Sequence, residues 1–392
     1  MRVLWASHSA GLLGAERCLA EGVKGLTSKG VYVHVAVPHY GPLVPAIEAM
    51  HVPVSKVRYD WWMSRRGSWS LYHRARHGAL NVIGWRNVLN LVHLVRPDLV
   101  VTNTLTIPIW ALASKLFHIP HVWYIHEFFG EDHGLTFDWG NRLPPRLIDK
   151  LSSLVMVNSE AVRSKFQSVI GGDKLRIAQC AVEVPAALAK PDENHEDFSL
   201  AMLGAVLPSK GQEEAIRAVS LLTLRGLKVK LRIIGTNESR FARHLQQQAK
   251  DLHLQNSVEF IDFTDKPFKY VAAADATLMC SSNEAFGRVT VEAMKMGKPV
   301  IGAAAGGTKE LIQDGVNGFL YESGNEYDLA EKISWLYHDH STLVEMGSRA
   351  QAWATGRFTM ERYTNDLLAI FKEAIERSGR TANSSSNVLE LY

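Results

Sequence analysis

Short apolar runs alternate with longer amphipathic stretches along most of this chain. Val3–Ser7, Val31–Pro38, Pro97–Asn103, Pro120–Ile125, Leu154–Val157 and Lys174–Ala178 read as strands of a buried parallel sheet. Between them lie segments with helical spacing, among them Arg17–Leu26, Leu43–Met50, Asn87–Val95, Ile109–Phe117 and Ser159–Phe166. The alternation restarts at Phe198–Gly204 and continues through Val229–Gly235, Val258–Phe260, Ala276–Cys280 and Val300–Ala303, with helices Glu213–Leu222 and Ser239–Leu252. Helices of about ten residues between apolar strands predict doubly wound α/β domains. In such sheets ligands sit beyond the carboxyl ends of the strands. Asn103 and His126 fall at two of those ends, and the loop from Ser281 falls at a third.

The 392 residues suit two or three domains. Ala187–Asp197 contains Pro191 and several charges without apolar periodicity, so a linker is expected at 188–197. That gives a first domain at 1–187 and a second at 198–360. The helix Glu361–Arg377 follows, and 379–392 reads as a polar, frayed tail.

Composition is that of a soluble globular enzyme, 46% hydrophobic and 21% charged. A formal net charge of +3 does not demand nucleic acid, although it permits a local basic face against an anionic membrane. Three scattered cysteines, Cys18, Cys180 and Cys280, argue against a disulfide framework and for a reducing compartment. The opening Val3-Leu4-Trp5-Ala6 lacks the long apolar region of a signal peptide, and no apolar run is long enough to span a bilayer. A cytoplasmic protein, peripheral to the inner face of the membrane if it meets one, is the expectation.

Ser281-Ser282-Asn283-Glu284-Ala285-Phe286-Gly287-Arg288 links a strand to a helix that stops at Gly297-Lys298-Pro299. Glu292 lies eight residues after Glu284, about two helical turns on. The N–H groups of Phe286, Gly287 and Arg288 open that helix, where the dipole and unpaired donors suit a phosphate. Two carboxylates beside such a site can accept hydrogen bonds from several hydroxyls. Taken alone, a pair of glutamates more often brackets an ordinary amphipathic helix. Near the N-terminus, Gly11 and Gly14 stand in a loop between strand and helix. Their Gly-x-x-Gly spacing is not the G-x-G-x-x-G of a nicotinamide site.

The ordered set Glu284-x7-Glu292, Glu-Ala-Phe-Gly, Gly297-Lys298-Pro299-Val300, Gly306-Gly307-Thr308-Lys309-Glu310 and Asp314-Gly315-Val316-Asn317-Gly318 resembles the carboxyl-terminal signature of glycosyltransferase family 4. The resemblance implies the GT-B architecture: two Rossmann-like domains facing across a cleft, with helix 361–378 crossing back to the first. It implies a retaining transfer from a nucleotide diphosphate-sugar. Glu284 would hold donor-sugar hydroxyls, Glu292 the ribose and Lys210 the diphosphate. His126 would orient the sugar, and Gly11 and Gly14 would close over the phosphates. Where the family usually has an arginine, this chain has Ala205, and Arg288 is the nearby cation that stands to compensate. No D-x-D is present, so no metal and no cofactor are expected.

Arg58, Trp61, Trp62, Arg65, Arg66, Trp69, Arg74 and Arg76 crowd one segment. Basic residues among interfacial aromatics suit lipid headgroups, and Trp62, Arg65, Arg66 and Trp69 are the candidates for meeting a membrane or a glycan or lipid-linked acceptor. Tryptophans capping the core is the plainer alternative. The segment directs the functional expectation to bacterial cell-envelope polysaccharide or lipopolysaccharide synthesis. A GT-B-shaped nucleotide-sugar epimerase and a non-catalytic nucleotide-sugar-binding subunit are the rival readings.

Overall fold

A computed structural model of the chain describes residues 1–65, 71–128, 134–185, 197–236 and 238–379. It divides into two compact units, residues 1–181 with the chain from 360 onward, and residues 182–359. Each is built on one parallel sheet, as the alternation of apolar runs and amphipathic helices requires.

In the first unit seven parallel strands run in the order Val54–Lys56, Tyr32–Val37, Arg2–Ala6, Leu99–Asn103, His121–Ile125, Leu154–Val157, Leu175–Ile177. The N-terminal strand pairs with Tyr32–Val37 on one side and Leu99–Asn103 on the other. The winding direction therefore reverses there, which opens a crevice at the carboxyl ends of the two inner strands. Trp5, Trp123 and Tyr124 are fully buried in this sheet's core. The helix Met360–Arg377 belongs to this unit and lies on the helix Gly14–Ser28. Gly22 and Gly25 make that packing possible. A Cβ on Gly25 would stand 1.9 Å from Thr364 Oγ1, and one on Gly22 would stand 2.7 Å from the Trp5 ring.

Two readings of the basic, aromatic segment are corrected here. Its helix begins at Leu71 and runs to Val95, well before the expected start at Asn87. The apolar period was blurred because Val82, Ile83 and Leu94 face outward, at 76%, 60% and 74% exposure. Gly78 and Gly84 interrupt it further. Gly84 is required, since a Cβ would stand 1.8 Å from the Arg58 carbonyl oxygen. Trp62 is not at the surface: it is buried, its ring stacks on Trp123 at 6.0 Å, and its Nε1 donates to the Leu105 carbonyl. Arg65 ends the short strand Met63–Arg65, antiparallel to Leu135–Phe137. The Arg65 side chain, Arg66, Trp69, linker residues 188–196 and tail residues 380–392 lie outside the described residues.

The second unit holds six parallel strands in the order Val258–Asp262, Val229–Thr236, Phe198–Leu203, Ala276–Met279, Val300–Ala303, Gly318–Tyr321. Leu200, Leu231, Leu278 and Ile301 pack under helices that contribute Val219, Leu245 and Ile333. The first strand, Phe198–Leu203, again sits between two others and sets a reversal point against Ala276–Met279. Between the helices Glu326–His338 and His340–Arg357, Asp339 Oδ1 accepts from the Thr342 N–H and caps the second.

The expectation of unpaired cysteines is also corrected. Cys18 and Cys180 form a disulfide within the first unit, with Cα atoms 5.6 Å apart across 162 residues of sequence. Cys280 remains a free, buried thiol. Among the described residues, no helix is long and apolar enough to cross a membrane.

Candidate functional site

The reversal point of the second sheet gathers most of the sequence-predicted residues. After strand Phe198–Leu203, the turn Pro208–Lys210 ends at Gly211, whose φ of +74° is left-handed. A Cβ there would also stand 2.3 Å from the Cys280 carbonyl oxygen. Only glycine lets this loop lie against the end of the neighbouring strand. The Ser282 N–H then donates to the Ser209 carbonyl at 3.1 Å. This contact brings Lys210 Nζ to 2.7 Å from Glu284 Oε2, across 74 residues of sequence. Both side chains are largely shielded, at 23% and 16% exposure.

Glu284 is held from behind. Its carbonyl accepts from the Gly307 N–H at 2.7 Å. Gly306 has a φ of +51°, and a Cβ on it would stand 2.4 Å from the Glu284 carbonyl oxygen. Gly287, with φ +87°, turns the chain into the helix Arg288–Lys295. One turn into that helix, Arg288 Nε meets Glu292 Oε1 at 3.2 Å, with both side chains nearly buried. Four predicted residues thus form two acid–base pairs. The Phe286 ring is buried against Phe358 at 5.6 Å, which leaves its backbone as the part suited to a ligand. Ala205 is exposed, and its carbonyl accepts from Gln212 Nε2. Behind these loops, burial pushes the Cys280 thiol up to about 12.

The reversal point of the first sheet holds the rest. Asn103 Oδ1 accepts from His126 Nε2 at 3.0 Å, and Asn103 Nδ2 donates to the Ala15 carbonyl at 3.1 Å. The Tyr124 ring lies 4.0 Å from the His126 ring. Glu127, adjacent in sequence, is buried and structural: one carboxylate oxygen accepts from the His126 N–H and the other from the Leu105 N–H, each at 2.8 Å. It ties two strand ends together and so fixes His126.

The glycine loop is closed by a residue that the sequence reading passed over. Glu16 is 2% exposed. It accepts from Ser9 Oγ at 2.5 Å and from the Leu13 N–H at 3.2 Å, and it pairs with His8 at 3.3 Å. Gly11 lies under Ser9 Oγ, to which its N–H donates. Around Gly14, a Cβ would meet nothing within 4 Å. A buried acid three residues past a helix-opening loop was the available signal for Glu16.

Two family models match the chain in succession: Glycosyltransferase Family 4 over residues 13–184 and Glycosyl transferases group 1 over residues 184–353. Among curated proteins, the N-acetyl-alpha-D-glucosaminyl L-malate synthase of Bacillus anthracis is 33% identical over 129 residues, 33% of this chain and 34% of that protein. The D-inositol 3-phosphate glycosyltransferase of Pseudarthrobacter chlorophenolicus is 27% identical over 279 residues, 64% of this chain and 66% of that one. The chain thus spans between about a third and two thirds of the length of these curated relatives. Among solved structures, Anabaena HepE in complex with UDP matches with a TM-score of 0.77 and 26% identity, covering 94% of this chain and 99% of that one. HepE has also been solved with UDP-glucose.

Proposed function

The chain belongs to the family 4, group 1 glycosyltransferases, and from that membership we propose that it moves a sugar from a nucleotide diphosphate-sugar to a hydroxyl of a glycan or lipid-linked acceptor, with retention at the anomeric carbon. The observation that carries the reading is the Lys210–Glu284 pair at the reversal point of the second sheet, with Glu292 on the helix that starts beside it. A bound donor exchanges the Lys210–Glu284 contact for two of its own. Lys210 turns to the diphosphate and offsets the charge that grows as it leaves. Glu284 turns to the hydroxyls of the transferred sugar. The N–H groups of Gly287 and Arg288 face the phosphates, and Glu292 takes the ribose hydroxyls. UDP and UDP-glucose in HepE favour uridine as the base.

In the transfer the anomeric C–O bond to the diphosphate breaks, and the acceptor oxygen bonds to the same face of the sugar. The acceptor's proton passes to the departing phosphate oxygen. His126, fixed by Asn103, orients the sugar. The reading gives Gly11 and Gly14 a part in holding the donor phosphates, and Glu16 holds their loop in shape. No metal or other cofactor enters this reading, and full turnover in the presence of a chelator is expected. The reaction is assigned to the cytoplasmic side of bacterial envelope polysaccharide synthesis; a Rhizobium meliloti relative, 29% identical over 168 residues, is named as the lipopolysaccharide core biosynthesis glycosyltransferase LpsE.

Incubation with UDP-glucose alone, then with a glycan acceptor, tests the assignment. Acceptor-dependent release of UDP with a glycosylated product is the expected result. Conversion of the donor without acceptor indicates an epimerase, and binding without conversion indicates a non-catalytic subunit. Either result overturns the proposal.

A further inference from the structure

Behind the Lys210 turn stands a buried acid that the motif set does not include. Glu214 lies in the first turn of the helix Gln212–Leu224, four residues after Lys210, and is 6% exposed. Its Oε1 accepts from the Gly324 N–H at 3.0 Å, across 110 residues of sequence. We propose that Glu214 is the positioning residue for Lys210. It anchors the helix start that follows the Lys210 turn to the turn after the last strand of the sheet, and so fixes where the Lys210 ammonium stands.

Three contacts hold the turn Pro208–Lys210 and the helix it opens. In front, the Ser282 N–H donates to the Ser209 carbonyl at 3.1 Å. At the end of the turn, Gly211 lies so close to the Cys280 carbonyl oxygen that a Cβ would stand 2.3 Å from it. Behind, Glu214 reaches Gly324, between the strand Gly318–Tyr321 and the helix Glu326–His338. The first two contacts attach the turn to the end of the strand Ala276–Met279. The third attaches it to the end of the edge strand Gly318–Tyr321, with Val300–Ala303 lying between the two. A turn held at one strand end can rock about it, and a turn held at two separated strand ends cannot. The 2.7 Å contact of Lys210 with Glu284 is what this restraint delivers.

An apolar side chain would fill the place of Glu214 at less cost. A buried carboxyl is unfavourable unless its oxygens are bonded, and burial raises the Glu214 pKa above that of a solvated glutamate. Among the described residues no cation pairs with it: Arg217, on the same helix, pairs with Glu326 at 3.3 Å. Its neighbours are the Gly324 N–H, the Tyr321 hydroxyl and, beyond that hydroxyl, the Cys280 thiol, with Tyr321 and Cys280 both buried. What the acid adds over a leucine is a directed bond. Direction matters here because a charge misplaced by about 1 Å in a reacting site can cost on the order of a hundredfold in rate. This consequence for transfer rests on the reading under Proposed function; the clamp on Lys210 does not.

Trace acetylation of Lys210 by acetic anhydride, read by peptide mass spectrometry on the ligand-free protein, tests the clamp without any substrate. Exposed Lys250 serves as the internal reference. Glu214→Leu keeps the bulk but cannot accept from the Gly324 N–H, whereas Glu214→Gln still can. Lys210 should label about threefold faster in the leucine variant, as its shielding is lost, and at the wild-type rate in the glutamine variant. In turnover of UDP-glucose with an acceptor, Glu214→Leu should lower kcat/KM by about tenfold, and Glu214→Gln should restore it to within about twofold of wild type. On a Lys210→Met background Glu214→Leu should cost less than about twofold more, because its effect passes through Lys210. Glu214→Ala makes the same comparisons if the leucine variant does not fold. Equal labelling of Lys210 in wild type and variant, no restoration by glutamine, or the full loss repeated on the Lys210→Met background overturns the proposal. If labelling changes as expected while no UDP-sugar is bound or turned over, the transferase reading falls and the clamp stands. If turnover proceeds while labelling is equal, the clamp falls alone.

Discussion

Lys210 and Glu284 meet at 2.7 Å although 74 residues separate them, because the loops that carry them leave adjacent strands at the point where the second sheet reverses its winding. The pair is shielded but not sealed. Each side chain is therefore held ready by the other and can still be claimed by a ligand. Glu284→Gln and Lys210→Met should each lower kcat/KM by about 10²–10³-fold, the cost of removing one stabilising group from a transition state. The double variant should lose far less than the product of the two losses, because the residues act as a unit. Steady-state kinetics beside circular dichroism checks this: fully multiplicative losses would show that they act separately.

Arg288 and Glu292 make a second pair with less solvent around it. Removing one partner of a nearly buried ion pair strands the other charge, at a cost of about 3 kcal/mol. Arg288→Ala and Glu292→Ala should accordingly each destabilise the protein by that order in urea unfolding, and Glu292→Ala should in addition raise KM for the donor. An Arg288→Ala variant with wild-type stability and altered donor KM alone would recast Arg288 as a direct phosphate ligand.

Gly306 seats Glu284 through its backbone. Alanine there must adopt a φ near +51° and must displace the Glu284 carbonyl, 2.4 Å from the new Cβ. A Gly306→Ala protein should fold, with the second sheet's core intact, but turn over at least tenfold more slowly. Comparable kinetics of this variant and the parent would separate Gly306 from the site.

The cysteines give a prediction free of any activity. Cys18 and Cys180 are bonded, and Cys280 is buried with its thiol pushed up to about 12. The native protein should show no fast reaction with a thiol reagent at pH 8. Unfolded without reductant it should show one thiol per chain, and after reduction three. Three thiols without reductant would refute the pairing.

Strand runs such as Leu99–Asn103 and Leu231–Gly235 were legible because a parallel strand buried on both faces leaves a continuous apolar signature. Glu284 and Glu292 were read from the ordered motif set, Lys210 from the family resemblance and His126 from a strand end. Their pairing was not, since only the strand order brings Lys210 to Glu284 and Cys18 to Cys180. The helix Leu71–Val95 lost its period to outward-facing Val82 and Ile83. Trp62 misled for a related reason: an indole among arginines suits a lipid surface and a core lid equally, and stacking on Trp123 is a tertiary fact. Glu16 went unremarked because only its reach back to the Leu13 N–H follows a spacing rule, while Ser9 and His8 are brought to it by the fold.

The central claim, that a nucleotide diphosphate-sugar is gripped by the acid and base residues of the second unit, is tested most directly by calorimetric titration of UDP-, GDP- and dTDP-sugars into wild-type protein and Glu292→Ala. The account predicts saturable binding of a UDP-sugar to the wild type, weakened at least tenfold in the variant. No binding of any of the three, or equal affinity in both proteins, would contradict it.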